Sequence, residues 1–147
     1  MKLAEQYYNV TSRNETNLQI LSLDLDYFKN INDTYGHETG DKVLVEFTKT
    51  VSGLLRKSDL FGRIGGEEFA IVLQNTPLDG ATLFANRICK SVEEMEVSIN
   101  NKRLHVTVSI GVATLSNEKS VAELLKKSDE ALYKAKERGR NQVHVIK

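Results

Sequence analysis

Two adjacent glycines between strand-like segments constrain this chain more than any other feature. They lie in Arg63-Ile64-Gly65-Gly66-Glu67-Glu68-Phe69. The stretch before them, Leu60 to Ile64, is short and partly apolar, and Phe69-Ala70-Ile71-Val72-Leu73 after them is an apolar run of strand length. Glycine reaches positive φ without a Cβ clash, so the pair marks a tight hairpin with Glu67 and Glu68 at its tip. Two carboxylates at one tip repel each other, and a cation or charged ligand beside them would relieve that. From these seven residues alone, a solvated turn is the simpler reading.

The rest of the chain supplies the partners of that hairpin. Leu18 to Leu25 alternates, with Leu21, Leu23 and Leu25 on one side and Ser22, Asp24 and Asp26 on the other, which predicts a half-buried strand carrying two acids near its end. Phe28 to Tyr35 predicts a short helix closed by Gly36. Asp41 to Lys57 places Leu44, Phe47, Val51, Leu54 and Leu55 on one helical face. After the Thr76-Pro77-Leu78-Asp79-Gly80 break, Phe84, Ile88, Val92 and Met95 trace a second covering helix. Val97 and Ile99, the turn Asn100-Asn101, and the alternating run from Leu104 to Val112 predict another hairpin. Ser120 and Glu123 have capping-box spacing ahead of a helix that Gly139 stops, and Val143 and Val145 form a last strand. The expected order is β-α-α-β-β-α-β-β-α-β, an α+β or mixed α/β plan with a mostly antiparallel sheet of about five strands covered by helices.

A chain of 147 residues, 40% hydrophobic, fits one domain with a real core. Residues 1–17 read as a polar N-terminal remnant or linker, with a short helix over Leu3 to Tyr8, ahead of a domain at 18–147. Twenty basic and twenty acidic residues balance to zero net charge, which gives no reason to expect a nucleic-acid or membrane partner. The single Cys89 excludes an internal disulfide and is compatible with a reducing compartment. No run approaches the roughly 20 apolar residues of a membrane span.

Familiar sites fail on spacing. Counting a calcium loop from Asp24 puts Lys29 where a glycine is needed and Tyr35 where a glutamate is needed. There is no P-loop and no dinucleotide fingerprint, and His37, His105 and His144 lack zinc-ligand spacing. What remains is Asp24 at a strand end and Glu67 and Glu68 at a hairpin tip, brought together if their strands are neighbours. Hard oxygen ligands of this kind suit Mg²⁺, or Mn²⁺ in its place, completed by substrate phosphates. Lys29, Lys136 and Arg140 are candidate partners for a triphosphate.

The ordered series Asp24-x-Asp26-x-Phe28-Lys29-x-Ile31-Asn32-Asp33-x-x-Gly36-His37-x-x-Gly40-Asp41, then Gly65-Gly66-Glu67-Glu68-Phe69, Ser109-Ile110-Gly111-Val112, Ala131-Leu132-Tyr133-x-Ala135-Lys136 and Gly139-Arg140-Asn141 resembles the GGDEF family of diguanylate cyclases. The resemblance runs from about Leu18 to the C-terminus. It implies a nucleotide-cyclase, palm-like fold, a cytoplasmic setting, and a domain that condenses two GTP into cyclic di-GMP with release of two pyrophosphates. By motif match, Asp24, the Leu25 carbonyl and Glu67 hold the metals and Glu68 assists there. Asn32 and Asp41 read guanine, whose edge offers the donors and acceptor an amide and a carboxylate can meet. The Tyr27 and Phe28 backbone amides, Lys29, Lys136 and Arg140 hold the phosphates, while Asp26, Asp33 and His37 are structural. Arg56-x-x-Asp59, with Arg87 on the next helix, matches the family's inhibitory site for the cyclic di-GMP product.

The family's usual Asp-x-Leu-Thr-x-Leu-x-Asn-Arg-Arg opening is not found in residues 1–17, which reads as a fragment of a longer signalling protein or a shortened domain. A non-catalytic binding or regulatory module with the same fold is therefore the alternative to an enzyme. If the chain is an enzyme, one GTP per site and two linkages per product imply a two-fold homodimer. The sequence shows no heptad repeat to hold it, which predicts weak or transient dimerisation.

Overall fold

The structure, a computed structural model, describes residues 17–115 and 120–147. The elements are β1 (Leu18–Leu25), α1 (Phe28–Tyr35), α2 (His37–Ser52), β2 (Leu60–Gly65), β3 (Glu68–Gln74), α3 (Leu78–Glu94), β4 (Val97–Ile99), β5 (Lys102–Leu104), β6 (Val108–Thr114), α4 (Val121–Glu137) and β7 (Val143–Ile146). The plan is mixed α/β, and the order differs from the expected one in having three strands rather than two between α3 and α4. The short helix expected over Leu3 to Tyr8 lies outside the described residues.

One five-stranded sheet runs β2-β3-β1-β6-β7, antiparallel except for the β6–β7 pair. The Leu21, Leu23 and Leu25 face packs on α2 and α3 through Val43, Phe47, Val51, Ala85, Ile88 and Val92. Leu18 and Ile20 face the other way, against Val121 and Leu124 of α4. β1 is therefore not half-buried as its alternation predicts: all eight of its residues are buried. Helices on both faces of a central strand bury its polar side chains with its apolar ones, and most of those polar groups find partners, the Gln19 Oε1 being an exception. The Gln19 side-chain amide donates to the Thr76 carbonyl at 3.0 Å, and the Ser22 and Ser128 hydroxyls lie 2.6 Å apart.

Two further expectations need correction. The run from Leu104 to Val112 is not one strand. Residues 102–104 pair with β4 in a separate two-stranded sheet, residues 105–107 leave it, and β6 then joins the main sheet beside β1. The helix expected over Asp41 to Lys57 instead spans His37–Ser52. Gly36, at φ 93°, ends α1 and immediately precedes α2, while Leu54 and Leu55 pack half-buried from the turn beyond the helix.

The backbone of α4 packs closely on β6. A Cβ placed on Gly111 would lie 2.2 Å from both the Leu132 nitrogen and the Ser128 carbonyl oxygen, so no side chain larger than hydrogen fits there. This contact sets the height of α4 above the sheet. The C-terminal turn of α4 and the loop after it carry Lys136 and Arg140 to the end of β1.

Candidate active site

Strand pairing assembles the acids. Asp24, next to last in β1, is the Cα partner of Glu68 in β3. Gly66, at φ 46°, and Glu67 form the turn between β2 and β3, braced by Arg63 Nε donating to the Gly66 carbonyl at 2.8 Å. The Leu25 amide donates to the Glu67 carbonyl at 3.3 Å, tying the tip of the hairpin to the end of β1. Asp24 is buried, at 4% exposure, whereas Glu67 is half-buried and Glu68 exposed. Burial pushes the Asp24 carboxyl above its ordinary value. The Lys136 ammonium, which contacts Asp24 Oδ2, opposes that rise, and the nearby Glu67 and Glu68 charges add to it.

A desolvated carboxylate with two anionic neighbours and one ammonium is short of positive charge. The donors are all hard oxygens, which is the chemistry a divalent cation such as Mg²⁺ requires, so Asp24, the Leu25 carbonyl and Glu67 fit such an ion. Among the described residues, no three His, Cys, Asp or Glu side chains converge closely enough to form a complete cage. Lys136, expected at the phosphates, here neutralises Asp24.

Beside the acids is the N-terminus of α1. Tyr27 occupies the cap position in the left-handed region at φ 58°, with no side-chain cap, so the first amides of the helix point outward toward any anion placed there. Phe28 is buried beneath that turn, and Lys29 is exposed on it. The Arg140 guanidinium carbon lies 4.7 Å from the centroid of the Tyr27 ring, a cation–π contact that brings the loop after α4 across the start of α1.

Asn32 and Asp41 flank the junction of α1 and α2. Asn32 Oδ1 is buried without a hydrogen-bond partner, against Gly40 at the helix junction. A Cβ on Gly40 would fall 1.8 Å from that oxygen and 3.2 Å from Phe28 Cζ, so glycine at 40 makes room for the Asn32 amide. Asp41, the next residue, is exposed. Asp33 and His37, expected to be structural, are both exposed at this junction.

The sequence model of the family described as "Diguanylate cyclase, GGDEF domain" matches residues 1–142. This chain belongs to the GGDEF family. Diguanylate cyclase A of Treponema denticola is 43% identical over 148 residues, covering 99% of this chain and 40% of that protein. The chain thus spans well under half the length of the curated relatives it matches. The active GGEEF domain of a diguanylate cyclase from Vibrio cholerae superposes with a TM-score of 0.90 at 35% identity, covering 97% of this chain and 91% of that one. The GGDEF domain of DgcB from Caulobacter crescentus, solved in complex with c-di-GMP, gives 0.91 at 28% identity, covering 96% and 84%.

This GGDEF domain also has a second cleft, away from the acids. Arg56, Asp59 and Arg87 line it together with Thr76, Pro77 and Phe84, around about 380 Å³. The Asp59 side chain is buried. It accepts from the Arg56 backbone amide at 2.8 Å and from Arg56 Nη2 at 3.2 Å, and the same Nη2 donates to Thr76 Oγ1 at 2.6 Å. Arg56 is thus held at the mouth of the cleft by groups on two loops, a more organised arrangement than a solvated i, i+3 pair.

Sequence reasoning missed several residues of this GGDEF domain. Thr76 gives no signal of its own, because its contact with Arg56 spans twenty residues. The motif points to the Tyr27 backbone amide and gives no signal for its ring, whose partner Arg140 is remote in sequence. Gly40 is a motif position, but its contact with Asn32 exists only once α1 and α2 are packed.

Proposed function

We propose that this domain is a diguanylate cyclase: two protomers, each holding one GTP, join them into cyclic di-GMP and release two pyrophosphates. The observation that carries this reading is the convergence of a buried, charge-deficient Asp24, the Glu67-Glu68 hairpin tip and the open N-terminus of α1 at one end of the sheet. Residues 18–147 are the working unit in this reading. GTP supply sets the location in the cytoplasm. No helix of the described residues is long and apolar enough to cross a membrane.

Asn32 and Asp41 take the guanine edge, whose donors and acceptor an amide and a carboxylate can meet. The Tyr27 and Phe28 amides and Lys29 receive the β and γ phosphates, and Arg140 closes over them from the far side. Asp24, the Leu25 carbonyl and Glu67 hold Mg²⁺ or Mn²⁺, with Glu68 beside them. When bound, the ion polarises phosphoryl oxygens and eases ionisation of the attacking hydroxyl. Lys136 balances Asp24 and is positioned to shift toward substrate phosphate. Because each site holds one nucleotide, the 3′-hydroxyl of each GTP must meet the α-phosphate of the other across a two-fold axis.

Incubation with GTP and Mg²⁺ followed by chromatography is expected to yield cyclic di-GMP. ATP under the same conditions is expected to yield no cyclic dinucleotide. Absence of product from GTP at high protein concentration, with the nucleotide still bound, would instead favour the non-catalytic module.

The second cleft is read as a product-binding inhibitory site. Arg56→Ala is expected to leave the initial rate intact and raise the cyclic di-GMP concentration for half-inhibition by about 10-fold or more, since hydrogen bonds to charged groups contribute roughly 1.5–3 kcal/mol. Unchanged inhibition in that variant would reduce Arg56 and Asp59 to an ion pair between loops.

A further inference from the structure

The chemistry above leaves one buried acid without a task. Asp26 lies one residue beyond β1 and is 4% exposed. Its Oδ1 accepts from Ser109 Oγ at 2.7 Å, and its Oδ2 accepts from Thr107 Oγ1 at 2.6 Å and from the Asn141 backbone amide at 3.0 Å. Three donors from two segments, the start of β6 and the turn after α4, occupy most of what a carboxylate can accept, so Asp26 has little capacity left to ligate an ion, in contrast to Asp24. Holding β1 to β6 does not require it, because the ladder already pairs Leu25 with Val108 and the Asp26 amide donates to the Thr107 carbonyl at 2.9 Å. What the Asp26 side chain adds is the tether to Asn141.

That tether joins two strained stretches. Tyr27, directly after Asp26, has φ 58°; Arg140 and Asn141 have φ 64° and 48°. Side chains rarely adopt this region, and it persists where the surroundings enforce it. Asp26 grips both sides, one through the chain and the other through the Asn141 amide. The Asn141 side chain donates to Glu93 on α3, which adds a second hold on the same residue. Between the two grips, the Arg140 guanidinium lies over the Tyr27 ring.

We propose that Asp26 is a positioning residue that, through the Asn141 amide, fixes the Gly139-Arg140-Asn141 turn and aims Arg140 across the N-terminus of α1 at the terminal phosphates of the nucleotide. The proposal rests on the triphosphate reading of this site. Asp26 acts through Arg140, so its removal weakens phosphate binding without touching recognition of the base.

The test is a double-mutant cycle read by calorimetry, with GTPαS and guanosine as separate ligands at constant Mg²⁺. Asp26→Ala is expected to weaken GTPαS about 10-fold, as loss of a charge-assisted contact would, and to leave guanosine within about 2-fold. In an Arg140→Ala background the same change is expected to add less than about 2-fold, because the two residues act as one unit. Asp26→Asn is expected to retain GTPαS affinity within about 3-fold, since its oxygen can keep Thr107 and Asn141 while the Ser109 hydroxyl turns to accept. Equal losses in both backgrounds, or a guanosine loss as large as the GTPαS loss, would make Asp26 a purely structural acid and overturn the proposal. If Asp26→Ala does not fold, Thr107→Val decides: a loss of about 3-fold confined to GTPαS supports the proposal, and unchanged GTPαS affinity contradicts it. A native domain that binds neither ligand defeats the triphosphate reading itself, whereas a native domain that binds both but shows additive mutants defeats only the role given to Asp26.

Discussion

Asp24→Asn is expected to abolish turnover and, in metal-free protein at neutral or higher pH, to raise the melting temperature. Loss of a cation ligand worth several kcal/mol of charge stabilisation corresponds to a rate fall of about 10³-fold or more. The gain in stability follows from the raised Asp24 carboxyl: burial, with Glu67 and Glu68 adding, favours the protonated form in the folded chain despite Lys136. A carboxyl whose folded value lies above the unfolded one contributes stability that is complete below the unfolded value and is lost as pH rises through the folded value. The native protein therefore carries this penalty at neutral pH, and the asparagine variant does not. Its advantage is expected to grow as pH is raised above about 4, the ordinary carboxylate value, and to narrow when Mg²⁺ is added, because the ion stabilises only the native site. A variant that melts lower than the native protein at pH 8 without metal would show that the Lys136 contact outweighs the burial.

Gly111→Val is expected to be the most destabilising single substitution in the sheet. Its new carbons would collide with the backbone of α4 at Ser128, Ala131 and Leu132, and a helix backbone cannot rotate aside as a side chain can. Overpacking of this kind costs about 3 kcal/mol or more, a fall in melting temperature on the order of 10 °C for a chain of this size. Ser22 and Ser128 share the interface, so a displaced helix would also part their hydroxyls. Turnover measured below the new transition is expected to fall as well, because α4 and the loop after it set the positions of Lys136 and Arg140. A melting temperature within 2 °C of native would mean that α4 can lift off β6 freely, contrary to the close approach seen here.

The parts of this architecture that depend on local chemistry were legible in the sequence. The paired glycines of the β2–β3 turn, Gly36 between α1 and α2, Pro77 ahead of α3 and the Ser120 cap of α4 each mark a boundary through their own backbone preferences. Ser120 Oγ does accept from the Glu123 amide, at 3.2 Å. What the sequence could not convey depends on which elements become neighbours. Alternation in β1 predicts one solvated face, and only the arrival of α4 buries Ser22 and Asp24. The Leu104 to Val112 alternation is continuous in sequence, yet it divides between two sheets because its two ends have different partners. At the site, the acids and basic residues stand out by motif. The charge on Asp24, the orphan oxygen of Asn32 and the cleft shared by Arg56 and Arg87 come from packing between segments far apart in the chain.

The most direct test is the specific rate of cyclic di-GMP formation from GTP and Mg²⁺ across protein concentrations from nanomolar to tens of micromolar, with the association state followed by light scattering. Two half-sites on separate chains predict a specific rate that climbs with protein concentration and levels off as dimer fills. They also predict a further increase when a dimerising coiled coil is fused ahead of Leu18. A specific rate that is flat across the whole range while the chain remains monomeric would contradict the paired-site account.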